Sequence, residues 1–160
     1  MTKSWFNTPE RLRRLEESAL SWVGTPFAAN SRAKGPRGGV SCQMLAEQIY
    51  LECGVPVPSV PRGSMSWSAH STISRIEKYL DGLPDILIPV DEDILPGDLM
   101  GYRIGGCVHH VALALERRRL IHCMRAASTT ICRIDDPTFK SRLCRIWRIN
   151  HELPDQTEKT

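Results

Sequence analysis

Leu12, Leu15, Ala19 and Trp22 recur at three- and four-residue spacing, the mark of one buried helix face. Thr8 supplies an N-cap oxygen ahead of them, Pro9 suits the first helical turn, and Gly24 suits the position just past the end. A helix is therefore predicted over 9–22. The stretch GTPFAANSRAKGPRGG follows, rich in glycine, proline and basic residues. It is long for a loop in a compact domain, and long ordered loops often carry function. A second helix starts at Ser41 or Cys42, with Ser41 as its cap, an apolar stripe of Leu45, Ile49 and Tyr50, and Gly54 at its end. PVPSVPRGS is a turn-rich connector, and 67–80 reads as a third helix that stops at Asp81-Gly82. Beyond it the period changes. Strands are predicted over 99–104, 109–115, 120–124, 129–134 and 143–149, with a short helix over 137–142.

Helices first and strands second define an α+β fold, with N-terminal helices packed on a C-terminal antiparallel sheet of about five to six strands. Residues 1–150 are expected to form a single domain and 151–160 a loose polar tail. The chain contains no internal repeats and no low-complexity segments. Leu95-Pro96-Gly97-Asp98 is a turn into the first long strand, in which Asp98 is expected to bond local backbone N–H groups.

Composition narrows the class. With 41% hydrophobic and 24% charged residues in 160, the chain is neither disordered nor fibrous. No apolar run approaches the roughly 20 residues of a membrane-spanning helix. MTKSWFNTPERLRRLEES lacks the apolar core of a secretory signal. As it stands, the chain is expected to be cytoplasmic when synthesised, and to reach any outer target with a virion or by another non-Sec route. Residues 101–150 carry 10 basic and 3 acidic residues, which suits either an anionic partner or the polar faces of strands. Arg117-Arg118-Arg119 falls in a turn and no reader motif is present, so nucleic acid is not an expected partner. The six cysteines form no short-domain disulfide framework. Cys42 and Cys53, on one helix, would sit about 16 Å apart, far beyond disulfide reach.

Cys42 opens a helix directly after a glycine-rich loop. The first N–H groups of a helix are unpaired and carry partial positive charge. Such a position lowers a thiol's pKa toward the nucleophilic thiolate and offers donors to an oxyanion. The plain alternative is a buried cysteine on an amphipathic helix. His110 begins the run HVALAL, and His122 follows 12 residues later, on what should be the next strand of a hairpin. Such a hairpin can set the two side by side, one as base for Cys42 and the other fixing its tautomer. His109 competes for the base role, because adjacent strand residues point to opposite faces. Each lone histidine could equally be structural.

GTPF, GVSCQML, ILPGDLM, HHVALAL and LIHC stand in the order and spacing of one known family. Over about 22–123 the chain resembles the NlpC-type, papain-like cysteine peptidases that hydrolyse bacterial cell walls. The resemblance implies Cys42 as nucleophile, His110 as base by the register of His-Val-Ala-Leu, and His122 as the third polar residue. It implies cleavage of the D-γ-glutamyl–diaminopimelate link of peptidoglycan stem peptides, without metal or other cofactor. The chain is expected to act as a monomer. Four positions depart from the family pattern. Ser41 stands where Asp is usual, Gln43 and Met44 where Ser and Gly are usual, and Phe27 where Tyr is usual. Phe27, Ser41, Gln43 and His109 are thus candidates for the substrate and oxyanion surface, with Gln43 as an amide donor. Ser41 cannot pair a substrate amine as a carboxylate can. The looser pattern is also similar to peptidases encoded among phage tail genes, which would add tail or virion proteins as partners. Two other readings stand beside this one. A weak or inactive relative would bind the wall or serve in tail assembly. A zinc protein would use Cys107, His109, His110, His122 and Cys123, although their spacing matches no common structural zinc pattern.

Overall fold

Thr8 Oγ1 accepts the Arg11 N–H at 3.2 Å and starts α1 (Pro9–Trp22), which ends just before Gly24 at φ +90°. The computed structural model describes residues 1–63 and 74–158. Within the long loop a small hairpin forms from β1 (Arg32–Ala33) and β2 (Gly39–Val40), and it delivers the chain into α2 (Cys42–Cys53). Ser41 occupies the N-cap of α2 with extended backbone, yet its side chain makes no capping hydrogen bond. Gly54 ends α2 at φ 94°, where a Cβ would also meet Asp155 at 2.5 Å. The third helix, α3 (Arg75–Asp81), is capped by Ser74 and covers the end of the predicted 67–80. Its expected start at 67–73 lies outside the described residues.

The remaining elements are β3 (Leu87–Pro89), β4 (Leu99–Ile104), β5 (Cys107–Leu115), β6 (Arg119–His122), β7 (Thr130–Arg133), α4 (Pro137–Lys140) and β8 (Leu143–Ile149). They form one antiparallel six-stranded sheet in the order β3-β8-β4-β5-β6-β7, so the fold is α+β as expected.

Alternation along β5 divides the core in two. Val111, Leu113 and Leu115 face the large cluster that includes Leu15 and Trp22 of α1 and Leu45 and Ile49 of α2. Ala112 and Ala114 face a smaller cluster with Met100, Tyr102 and Leu120, against which Phe139 of α4 packs. The alternation breaks once. Tyr102 pairs with His110 but Arg103 pairs with Val108, so His109 is the extra residue of a β-bulge.

Over its described residues, 151–158, the polar tail is held rather than loose. Buried Asp155 takes Arg14 Nη2 at 2.6 Å, Gln156 N–H bonds the Gly54 carbonyl at 2.9 Å, and Trp5 Nε1 bonds the Leu153 carbonyl at 3.1 Å. The turn before β4 behaves as expected, with Asp98 Oδ2 accepting the Leu95 N–H at 2.8 Å. Asp98 does more than that. It forms a fully buried pair with Arg148, whose guanidinium also meets the Thr2 and Asp93 carbonyls and Glu92, locking the N-terminal segment to β8. With its donors satisfied, this pair costs less to bury than a bare one, and losing either partner would strand a charge. No helix among the described residues is long and apolar enough to cross a membrane.

Candidate active site

Cys42 is delivered by close backbone packing. Beside β2, a Cβ at Gly39 would meet Ala28 Cβ at 2.4 Å, so only glycine lets the loop lie this near. The Cys42 side chain packs into the large helix-side cluster, and its residue is only 7% exposed. The backbone N–H groups of Val111, Gln43 and Cys42 itself stabilise a charge on its sulfur. Val111 is free to turn toward Cys42 because the β5–β6 pairing runs only over Leu113–Leu115. Burial outweighs these donors and, aided by the neighbouring Cys123, pushes the thiol up to about 11. The expectation of a helix-lowered thiol is therefore reversed by desolvation.

His110 immediately precedes Val111 on β5, and its ring projects to the opposite face, near Tyr102. His110 Nε2 and His122 Nδ1 are 2.9 Å apart, and their rings meet edge to face at 74°. Continuing the β5–β6 register sets Ala112 across from His122, and the small alanine leaves room for His110 to reach it diagonally. His122 packs on Phe139 at 4.7 Å between ring centres. Burial, then the charges of His122 and His109, pushes His110 down to about 3, and burial takes His122 to about 4. At neutral pH the resting site is thus an uncharged thiol with two uncharged imidazoles.

His109, re-aimed by the bulge, goes elsewhere. It lines a cavity of about 140 Å³ together with Asn30, Ser41, Gln43, Arg62 and Arg75. Burial and the nearby Arg125 lower its pKa. Cys42 is not among the lining residues, although its sequence neighbours Ser41 and Gln43 are. Phe27 is not among the lining residues. It packs against the helix-side core and bridges Val40, with its N–H on the Ala127 carbonyl at 2.9 Å.

Asn30, which lines the cavity, and the buried Glu47 with its partner Arg32 escaped sequence reasoning. Glu47 is buried on α2, ion-paired with Arg32, and accepts the Val60 N–H at 2.6 Å. Burial opposes its ionisation, yet Arg32, Gln48 and Val60 outweigh it and hold the carboxyl below its ordinary value. Asn30 clasps Gly63 through both its side-chain atoms, at 3.2 and 3.1 Å. A charge among the apolar positions of α2 was the one available signal for Glu47, and its partner Arg32 sits 15 residues away.

The other candidates scatter. Cys123 turns its sulfur toward the Thr25 carbonyl on the helix side, away from His122. Among the described residues no three His, Cys, Asp or Glu side chains converge as a metal-binding group. In the Arg117–Arg119 turn, Arg118 pairs with Asp135 and Arg119 with Glu16.

No protein-family model and no curated protein matches the chain. Solved structures do match its fold. It is similar to a Staphylococcus aureus subsp. aureus Mu50 protein described as similar to a lipoprotein of the NLP/P60 family, with TM-score 0.61 and 20% identity over 91% of this chain and 43% of that one. It is also similar to the peptidoglycan hydrolase RipB of Mycobacterium tuberculosis, with TM-score 0.52 and 18% identity over 87% of this chain and 64% of that one. RipD from the same organism, a non-catalytic NlpC/P60 domain protein adapted to peptidoglycan binding, matches with TM-score 0.52 and 16% identity over 86% of this chain and 95% of that one. The chain therefore has the fold of NlpC/P60 proteins, and it spans less than half the length of the staphylococcal one.

Proposed function

We propose that this chain is a cysteine peptidase that cleaves an amide bond in peptidoglycan stem peptides, of the D-γ-glutamyl–diaminopimelate type. The observation that carries the reading is the buried His110–His122 pair, on the strand whose next residue, Val111, stabilises charge on the Cys42 sulfur. His110 takes the thiol proton as the Cys42 sulfur attacks the amide carbonyl carbon. The N–H of Cys42, with Gln43 as a neighbouring donor, holds the oxyanion. Collapse breaks the carbon–nitrogen bond, and His110 passes its proton to the leaving amine. Water then attacks the thioester, with His110 again as base, releasing a carboxylic acid and the free thiol.

The cavity supports a substrate rich in carboxylates. Arg62 and Arg75 line it, and no Asp or Glu stands among its described lining residues. Ser41 gives this chain no carboxylate to pair with a substrate amine beside the nucleophile. The neutral resting pair means that proton transfer accompanies attack rather than preceding it.

The test is to incubate purified peptidoglycan with wild type and Cys42→Ala. The reading expects new amino groups and cleaved stem peptides with wild type only. A second reading, a binding module without catalysis, is favoured by one observation: burial of a thiol that is protonated at neutral pH. It predicts peptidoglycan binding that survives Cys42→Ala and no cleavage by either protein.

A further inference from the structure

The tautomers of the histidine pair can be deduced from the proposed mechanism, on which this inference rests. His110 Nε2 is engaged with His122 Nδ1, so only His110 Nδ1 remains to accept the Cys42 proton. A base must have that nitrogen unprotonated. The His110 proton therefore sits on Nε2 and is donated to His122 Nδ1. His122, neutral and accepting at Nδ1, must then carry its own proton on Nε2.

That proton points at Cys132. Cys132 Sγ lies 3.9 Å from His122 Nε2. The placement follows from the sheet. On β7, Cys132 pairs with Leu120 while His122 pairs with Thr130, so Cys132 is the diagonal neighbour of His122. The same diagonal step joins His110 to His122 one strand earlier. Three side chains on β5, β6 and β7 thus line up across one sheet face, beside Tyr102 and Phe139.

We infer that Cys132 is a positioning residue, whose sulfur accepts the Nε2–H of His122 and thereby sets the tautomer of both histidines. The opposite arrangement, with Cys132 S–H donating to His122 Nε2, would put a proton on His122 Nδ1 and then on His110 Nδ1. His110 would then have no free nitrogen for Cys42. The direction of one weak sulfur contact thus separates a competent base from an incompetent one. No atom of Cys132 touches the reacting groups, and it contributes by holding the proton pattern.

Two measurements test this. Imidazole ¹⁵N spectra of the wild type should show His122 protonated at Nε2 and His110 protonated at Nε2. A His122 protonated at Nδ1 would overturn the inference whether or not the protein cleaves anything. Steady-state cleavage of purified peptidoglycan provides the second test. Cys132→Ala should lower kcat roughly fivefold with little change in KM, and should move the acid limb of the pH profile to lower pH. Cys132→Ser, which keeps an acceptor, should recover most of the rate. Unchanged kcat and pH profile in Cys132→Ala would contradict the role of Cys132 alone. Absence of cleavage by the wild type would instead remove the peptidase reading, and the spectra would still decide the tautomers.

Discussion

Val111, Leu113 and Leu115 carry one face of β5 into the large core that holds Cys42, while His110, Ala112 and Ala114 carry the other toward Tyr102 and Leu120. The first face is apolar and serves packing. The second is narrower, floored by two alanines, and holds a hydrogen-bonded histidine pair. In the proposed site, nucleophile and base are therefore supplied from different layers. The link between them is Val111, which follows His110 on β5 and whose N–H stabilises charge on the Cys42 sulfur. The short β5–β6 ladder leaves Val111, the residue between the two faces, outside the pairing with β6.

Removing the helix-side partner should have the largest effect. Cys42→Ala should lower kcat on peptidoglycan by at least about 10³-fold, with an unchanged circular dichroism spectrum and peptidoglycan binding retained. Residual cleavage within tenfold of wild type would put the nucleophile elsewhere.

The opposite face should declare itself through pH. His110 and His122 are lowered to about 3 and 4 when folded, so the unfolded chain binds their protons first as the pH falls. Stability should then be intact above about pH 6.5 and fall below it, by up to about 1.4 kcal/mol per pH unit for each histidine. Cys42 adds the mirror effect. Its raised thiol lets the unfolded chain ionise first, so stability should fall as the pH rises past about 9 toward 11. Urea unfolding from pH 4 to 10 checks both, and a His110→Asn, His122→Asn double variant should flatten the acid side.

A smaller effect belongs to the support behind the cavity, where Glu47 holds the lining residue Val60. Glu47→Gln removes the charge that holds Arg32 and keeps only a weaker acceptor for Val60. It should destabilise the fold by about 1–2 kcal/mol and raise KM more than it lowers kcat. Unchanged KM would detach this support from substrate binding. Smallest is Arg117→Gly, far from both faces. Arg117 sits at φ 61°, a conformation glycine adopts without strain, so thermal unfolding should report stabilisation of about 1 kcal/mol.

Local signals were legible and tertiary ones were not. Helix α1 and strands β4 and β8 match their predicted bounds because caps, turns and periodicity are written within a few residues. Strands β1, β2 and β3 are two or three residues long and exist through their partners, so they left no pattern. The tail looked loose because Asp155 finds Arg14 across 141 positions. The motif register pointed to His110 and His122, whose rings do meet, but the rule that neighbouring strand residues alternate faces could not foresee the bulge at His109. Helix position suggested an acidic thiol, and burial, invisible in sequence, reverses the sign at Cys42.

The paired His110 and the bulged, cavity-lining His109 are the two rival bases, which gives the most direct test. Purified peptidoglycan should be digested with wild type, His109→Ala and His110→Ala, and the newly freed amino groups counted. The account predicts cleavage by wild type, cleavage within about tenfold by His109→Ala, and loss of about 10²–10⁴-fold in His110→Ala. Full activity in His110→Ala with loss in His109→Ala would move the base to the cavity face and contradict the account.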